Sequence, residues 1–367
     1  MRINKSDIFR VMECPVPSGL RNHHEGLDAL LSLMGRYGLK FYRVSEETEV
    51  GGRGGLIGRS DVVLIKVNAQ WKYKGCTNSD VVRGLVQRVL EHPDGFEGEV
   101  VVFENGQGGG SLDCDTMWGR QYPDMEVHAN AENEKHSFSY VVESVFADSR
   151  VSKYLLDPIR EIFISDTNHS TNGYRKWGDV SYPCFTTVKG NRVEMREGIW
   201  NGEGYDKRLK LINVPVLKHH GGCGVTGALK SYYGILSMAD GNRSIRHYDK
   251  LGAHCGTMVS EVRGPVVSIL DCIWVTQVMW AGYPPSYTTR LDQLLASADP
   301  VALDYWASKN VLYPIDQNAE HHPDKFDALR NYLIQARDVI NSSGGIGGQK
   351  VTMDESNINV YNLKYKD

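Results

Sequence analysis

Asp61-Val62-Val63-Leu64-Ile65-Lys66-Val67 is an apolar run rich in β-branched residues, with no alternation of polar and apolar positions. Such a run reads as a strand buried on both faces. Downstream, Ser79 can cap a helix reaching about Glu91, with Val82, Leu85, Val86 and Val89 as its apolar stripe. Glu99 to Phe103 then reads as a second buried strand. Strand, helix and strand at this spacing make a βαβ unit. The expected fold class is α/β: a mostly parallel or mixed sheet with flanking helices, in two lobes with a cleft between them. The second strand runs out into Glu104-Asn105-Gly106-Gln107-Gly108-Gly109-Gly110. Ligands of open α/β sheets lie beyond the carboxyl ends of strands, where Lys66, Asn68, Glu104 and Asn105 fall.

Working outward, Leu27, Leu30, Leu31 and Met34 recur on one helical face, which predicts a helix from Asn22 to about Tyr37. The stretch 111–208 is polar and weakly patterned, with a helix expected over Phe138–Phe146 and a strand over Glu161–Ser165. Leu209 to Val214 reads as a strand ended by Pro215, and Val266–Leu270 as a strand ending in Asp271. A helix over Ser297–Val311 would take Asp299 as N-cap and Pro300 as its first residue. Asn357–Tyr361 is strand-like. The chain reads as one large α/β unit over 1–367, with 55–208 and 209–340 as candidate lobes and 111–208 as a divergent or inserted stretch.

The 367 residues are enough to bury a core without a disulfide or metal staple. Hydrophobic residues at 41% and charged residues at 23% exclude a disordered tail protein. A net charge of −4 lacks the basic excess of a nucleic-acid or anionic-membrane binder. No apolar run is long enough for a membrane span, and Met1 to Val11 lacks the apolar stretch of a secretory signal. Seven scattered cysteines without C-x-x-C argue against a disulfide framework and against a local iron–sulfur motif. A reducing cytoplasm is the expected compartment.

Chemistry concentrates in Leu217-Lys218-His219-His220-Gly221-Gly222-Cys223-Gly224-Val225-Thr226-Gly227-Ala228-Leu229-Lys230. Glycines let backbone N–H groups approach an anion. A helix expected from Gly224 to Leu236 would add partial positive charge at its start. Lysines supply a point charge, or a nucleophilic amine if desolvated, and histidines move protons or bind metal. The bland alternative is an ordinary glycine-rich turn edged by solvated bases. The segment is not a Walker A loop. Its literal G-x-G-x-x-G match lacks the acidic residue of a dinucleotide fold.

These residues carry a resemblance. Ile65-Lys66-Val67-Asn68 with Thr77, Glu104-Asn105-Gly106, Asn213 through His220, Thr226 through Ser231, Ile269-Leu270-Asp271 and Ala298 through Asp304 together resemble the family called domain of unknown function 362. The resemblance covers roughly 57–110 and 209–311. Val67 stands where that family usually has proline. Many of its members carry a ferredoxin-like cysteine tail; this chain has none, so no iron–sulfur cluster is expected. More distantly, His220 to Lys230 is similar to a segment of nickel-pincer lactate racemases. That likeness implies a cofactor-holding role for Lys230 and proton transfer or metal binding for His220, with His247 near a later histidine. The racemases' Asp-Val-Thr-Arg phosphate segment has no counterpart, so their cofactor does not carry over.

The candidate site follows. Lys66, Lys218 and Lys230 would hold carboxylate or phosphate, with Asn68, Gly224, Thr226 and Gly227 supplying hydrogen bonds. His220 would act as acid and base, with Glu104 or Asp271 as a second proton-transfer group or metal ligand. His220, His247 and His254 are candidate ligands for a divalent metal. His219 would face away from His220, because neighbours on an extended strand alternate. Cys223 reads as a small turn residue, Asp299 as a helix cap and Asp304 as a solvated or packing position. His128, His136, His169, His321 and His322 read as exposed. Trp71, Tyr73, Tyr232 and Tyr233 could wall a pocket or simply pack. Two functions fit: an enzyme moving a proton beside a carbonyl of a small anionic metabolite (racemisation, epimerisation or elimination), or a non-catalytic protein capturing a metal, cofactor or metabolite. Neither reading requires nucleic acid or membrane, and both leave room for a homo-oligomer.

Overall fold

A computed structural model describes residues 5–107, 109, 111–116, 125–237, 249–278 and 287–366. Val62–Val67 and Glu99–Glu104 are neighbouring parallel strands, every residue of both buried. Between them runs the helix Ser79–Leu90. Its cap is Asn78, one residue earlier than expected, whose Oδ1 accepts from Asp80 N and Val81 N.

Both strands belong to a ten-stranded sheet. Its main path runs Ile358–Lys364, Ser6–Met12, Thr288–Ser297, Val267–Thr276, Leu209–Val214, Val62–Val67, Glu99–Glu104, Val151–Leu155. Along it the pairings are parallel except those of Thr288–Ser297, which runs against both neighbours. Strands from both candidate lobes therefore share one sheet.

The sheet has a core on each face. Val63, Ile65 and Val67 pack with Val81, Val82, Leu85 and Val86 of the helix Ser79–Leu90, and with Leu27, Leu30 and Met34 of the helix Glu25–Arg36. Val62 and Leu64 belong to the other core, with Ala228, Leu229 and Tyr232 of the helix Ala228–Tyr233 and residues of Leu251–Thr257, Pro300–Ala307 and Asp327–Ser342. The chain leaving Val62–Val67 thus covers one face, and the chain leaving its neighbour Leu209–Val214 covers the other. Where adjacent parallel strands part in this way, a crevice opens beyond their carboxyl ends.

Three expectations change. Glu161–Ser165 is not a strand; Phe163 makes one isolated bridge to Tyr174, and the paired strand is Val151–Leu155. Ile162 and Phe163 are exposed, so the local apolar run is not a core signal. The strand expected to end at Asp271 runs on to Thr276. Gly224–Leu236 is not one helix: Gly224–Thr226 is a strand antiparallel to Val216–His220, and the helix is Ala228–Tyr233. Among the described residues, no helix is long and apolar enough to cross a membrane.

The weakly patterned stretch holds a five-stranded antiparallel sheet between Gly173 and Asp206. Its strands are short, which is why periodicity did not mark them. Glu99 anchors it: buried at the start of its strand, its carboxylate accepts from Ser152 Oγ at 2.8 Å, Thr187 Oγ1 at 2.6 Å and Asn191 Nδ2 at 2.8 Å. Glu99→Ala leaves these donors unmatched. It should cost about 2–3 kcal/mol in urea unfolding and speed amide exchange in 180–194 more than in 62–67. Equal acceleration in both segments would contradict the anchor.

Candidate functional site

Pro215 interrupts the strand that carries the lysine- and histidine-rich segment. Leu209–Val214 pairs with Val62–Val67; beyond the proline, Val216–His220 pairs with Val267–Thr276 and with Gly224–Thr226. Proline has no N–H for a ladder, and two side chains bridge the break. Thr77 Oγ1 donates to Val214 O at 2.6 Å and accepts from Asn68 N at 2.8 Å. Asn68 Oδ1 accepts from Val216 N at 2.9 Å. Asn68 therefore helps hold the break, and its Nδ2 makes no hydrogen bond among the described residues.

Lys66 and Glu104 end adjacent strands and meet as a buried ion pair at 2.7 Å. Lys66 Nζ also donates to Val67 O at 2.6 Å, and Glu104 accepts from Ala69 N and Asn105 N. Burial pushes the Glu104 carboxyl up and the Lys66 amine down, and each partner pulls the other back toward its charged form. Gly234, just past the helix Ala228–Tyr233, lies against the pair: a Cβ there would come within 2.9 Å of Glu104 Oε1 and 3.3 Å of Lys66 Nζ. Asn105 Nδ2 holds the same segment through Leu236 O at 2.7 Å.

Lys218 and Lys230 complete the group. Lys218 is buried, donates to Gly75 O at 2.6 Å and lies 5.8 Å from the centre of the Trp71 ring. Burial pushes its amine down to about 7; Cys76 and Glu104 work against that shift, and Lys230 adds to it. Lys230 is half-buried, and its Nζ stands 4.5 Å from the centre of the Tyr233 ring. Burial again lowers its pKa, with neighbouring Lys66 in the same direction and Cys223, Cys255 and Glu104 opposing. Among the described residues neither Lys218 nor Lys230 has a carboxylate partner. Trp71 and Tyr233 each present a ring face to one of these amines.

The hairpin around them is held from outside. Gly224 has φ +82°, and a Cβ there would meet Glu320 O at 2.2 Å. At Gly227 a Cβ would meet Asp304 Oδ1 at 2.2 Å. Asp304, expected to be solvated or merely packed, is buried and caps the Lys230 helix through Ala228 N at 2.6 Å and Leu229 N at 2.9 Å. Those N–H groups are thereby taken, so this short helix does not offer the partial positive charge expected of it. Burial nonetheless pushes the Asp304 carboxyl up to about 7. Thr226 is buried opposite Lys218 in the hairpin.

The histidines divide as alternation requires. His220 Nδ1 accepts from Gly222 N at 3.2 Å and lies 3.4 Å from Cys223 Sγ. His219 turns the other way, its Nδ1 2.9 Å from His321 Nε2; His321 Nδ1 is 3.1 Å from Asp316 Oδ1. His321, expected to be exposed, is fully buried, because this relay fastens Ala319–His321 to the hairpin. No sequence spacing announced it. His254 is buried on Leu251–Thr257, and His247 lies outside the described residues. Among the described residues no three His, Cys, Asp or Glu side chains converge to hold a metal.

Asp271 is mid-strand and its oxygens are engaged by Asn78 N at 2.7 Å, Ile273 N at 3.0 Å and Asn130 Nδ2 at 3.4 Å. Burial pushes it up to about 7. It steadies the start of the helix Ser79–Leu90 and lacks a lysine partner. A cavity of about 650 Å³ lies at the other edge of the sheet, lined by Phe9, Tyr37, Tyr361 and Asp299. There Asp299 caps its helix as expected and also binds Ser6 Oγ and Thr352 N. The strand ends, where Lys66, Glu104, Lys218 and Lys230 lie near one another, are the better candidate.

Residues 190–309 match the family model described as Domain of unknown function (DUF362). The DUF362 match takes in the hairpin, Lys230, Asp271 and Asp304, the later of the two segments that carried the resemblance. No curated protein and no solved structure matches the chain. None of this bears on the racemase likeness.

Lys218 makes stability depend on pH in a definite direction. Between about 7 in the native state and 10.5 unfolded, the unfolded chain holds a proton that the native chain does not. Stability therefore rises with pH across that window, and the penalty stands in full below 7. Lys218→Met should be more stable than the parent at pH 7, with the gap closing toward pH 10 by at most about 1.4 kcal/mol per unit. A gap independent of pH, measured by denaturant unfolding, would remove the buried amine from the account.

Proposed function

We propose that the crevice binds a small anionic metabolite, a carboxylate or phosphate, and moves a proton beside its carbonyl. One observation carries the reading: among the described residues, the amines of Lys218 and Lys230 lie near each other where two strands part, and neither has a carboxylate partner. A buried charge needs a partner, and a bound anion supplies it. Lys218 and Lys230 hold the anion, and Asn68 Nδ2 donates to it. Lys66 is already neutralised by Glu104, so that pair acts as an internal proton store rather than an anion clamp. His220 is the acid and base at the mouth of the crevice. Racemisation, epimerisation and elimination all need this inventory.

Capture without turnover has its own support. Asp271 is fully engaged in backbone contacts, so the second proton-transfer group rests on Glu104 alone. Hydrogen exchange at carbon separates the readings. In heavy water, wild-type protein should wash deuterium into the position beside the carbonyl of some member of a panel of small oxo acids and oxo phosphates. Lys230→Ala and His220→Ala should lose the exchange by a hundredfold or so while keeping the fold. Binding without exchange would leave capture; exchange unchanged in both variants would remove the proposed site.

A further inference from the structure

Lys230 differs from its neighbours in a way that the anion-binding role alone does not use. Lys66 Nζ is fixed by Glu104 and Val67 O, and Lys218 Nζ by Gly75 O. Lys230 Nζ makes no hydrogen bond or ion pair among the described residues, and stands over the face of Tyr233. The residue as a whole is half-buried, where Lys66 and Lys218 are buried. Its base is rigid: Asp304 fixes the first two N–H groups of its helix, and Gly234 ends that helix against Lys66 and Glu104. An amine that is desolvated, held in place and unbonded is a nucleophile.

We propose that Lys230 forms an imine with the ketone or aldehyde carbon of the anionic substrate, which makes the substrate class an oxo acid or oxo phosphate. This rests on the reading of the crevice as an anion site. Lys230 Nζ attacks the carbonyl carbon and an N–C bond forms. The carbonyl oxygen leaves with the two amine protons as one water molecule, and a C=N bond remains. No oxidant or reductant is consumed. Lys218, whose amine feels the Lys230 charge, holds the carboxylate or phosphate. Cys223 and Cys255 flank the amine as thiols; burial raises both, to about 11 and about 12, so they stay protonated and do not compete as nucleophiles at neutral pH. Protonation of the imine then acidifies the adjacent C–H, which is the proton the proposed chemistry has to move. Burial and the Lys66 cation both favour the neutral amine that must attack.

Reductive trapping tests this. The full chain is incubated with sodium cyanoborohydride and either pyruvate or dihydroxyacetone phosphate, then weighed intact and mapped by peptide mass. The expected result is one reduced adduct on Lys230 with one of the probes, and which probe traps names the anion. Malonate, an anion with no ketone, should suppress the adduct in unaltered protein. Lys230→Arg, checked for fold by circular dichroism, should reduce trapping at least tenfold. Label spread equally over surface lysines, or unchanged by malonate, overturns the imine. Malonate stabilising the protein through Lys218, with no adduct on Lys230, overturns the imine and leaves the anion site standing. Neither stabilisation nor adduct overturns both.

Discussion

Two neighbouring parallel strands, Val62–Val67 and Leu209–Val214, send their chains to opposite faces of one sheet, and the candidate site is a consequence of that parting. A strand end whose continuing chain leaves on one side cannot be covered by a neighbour that leaves on the other. Polar groups at such an edge have to be satisfied by side chains, by solvent or by a ligand. Thr77 and Asn68 satisfy the backbone at the Pro215 break. What remains, among the described residues, is a set of amines on the strand ends and on the short helix Ala228–Tyr233.

Much of this was legible in residue pattern. Runs apolar on both faces of the pleat named the central strands, and the 3.6 period named the helices Glu25–Arg36 and Ser79–Leu90. The strand-end rule places Lys66, Asn68 and Glu104 together. Legibility failed where the deciding contact is distant in sequence. Asp304 caps a helix some seventy residues earlier, and His321 meets His219 a hundred residues away. Nothing local marks either. The helix expected from Gly224 failed for a related reason: the backbone of Glu320 and the carboxylate of Asp304 press on Gly224 and Gly227, and tertiary packing set the local structure. The Gly173–Asp206 sheet escaped because strands of two to seven residues hold too few alternations to read.

The charges within the crevice rank themselves. Lys66 and Glu104 neutralise each other as a buried ion pair. Among the described residues Lys218 is hydrogen-bonded but has no ion-pair partner, and Lys230 has neither a hydrogen bond nor an ion pair. Burial makes both uncompensated amines weaker bases than usual, which suits a site that must switch between a cation that holds an anion and an amine that attacks a carbonyl.

The central claim is that an anion completes the charge of buried Lys218 and Lys230. Calorimetric titration of inorganic phosphate and of malonate at pH 8, in buffers of differing ionisation enthalpy, tests it directly. A bound anion must raise the Lys218 amine from about 7, so wild-type protein should take up a fraction of a proton to one proton per anion bound. Lys218→Met should lose that uptake. Binding without proton uptake, or binding and uptake unchanged in Lys218→Met, would contradict the account.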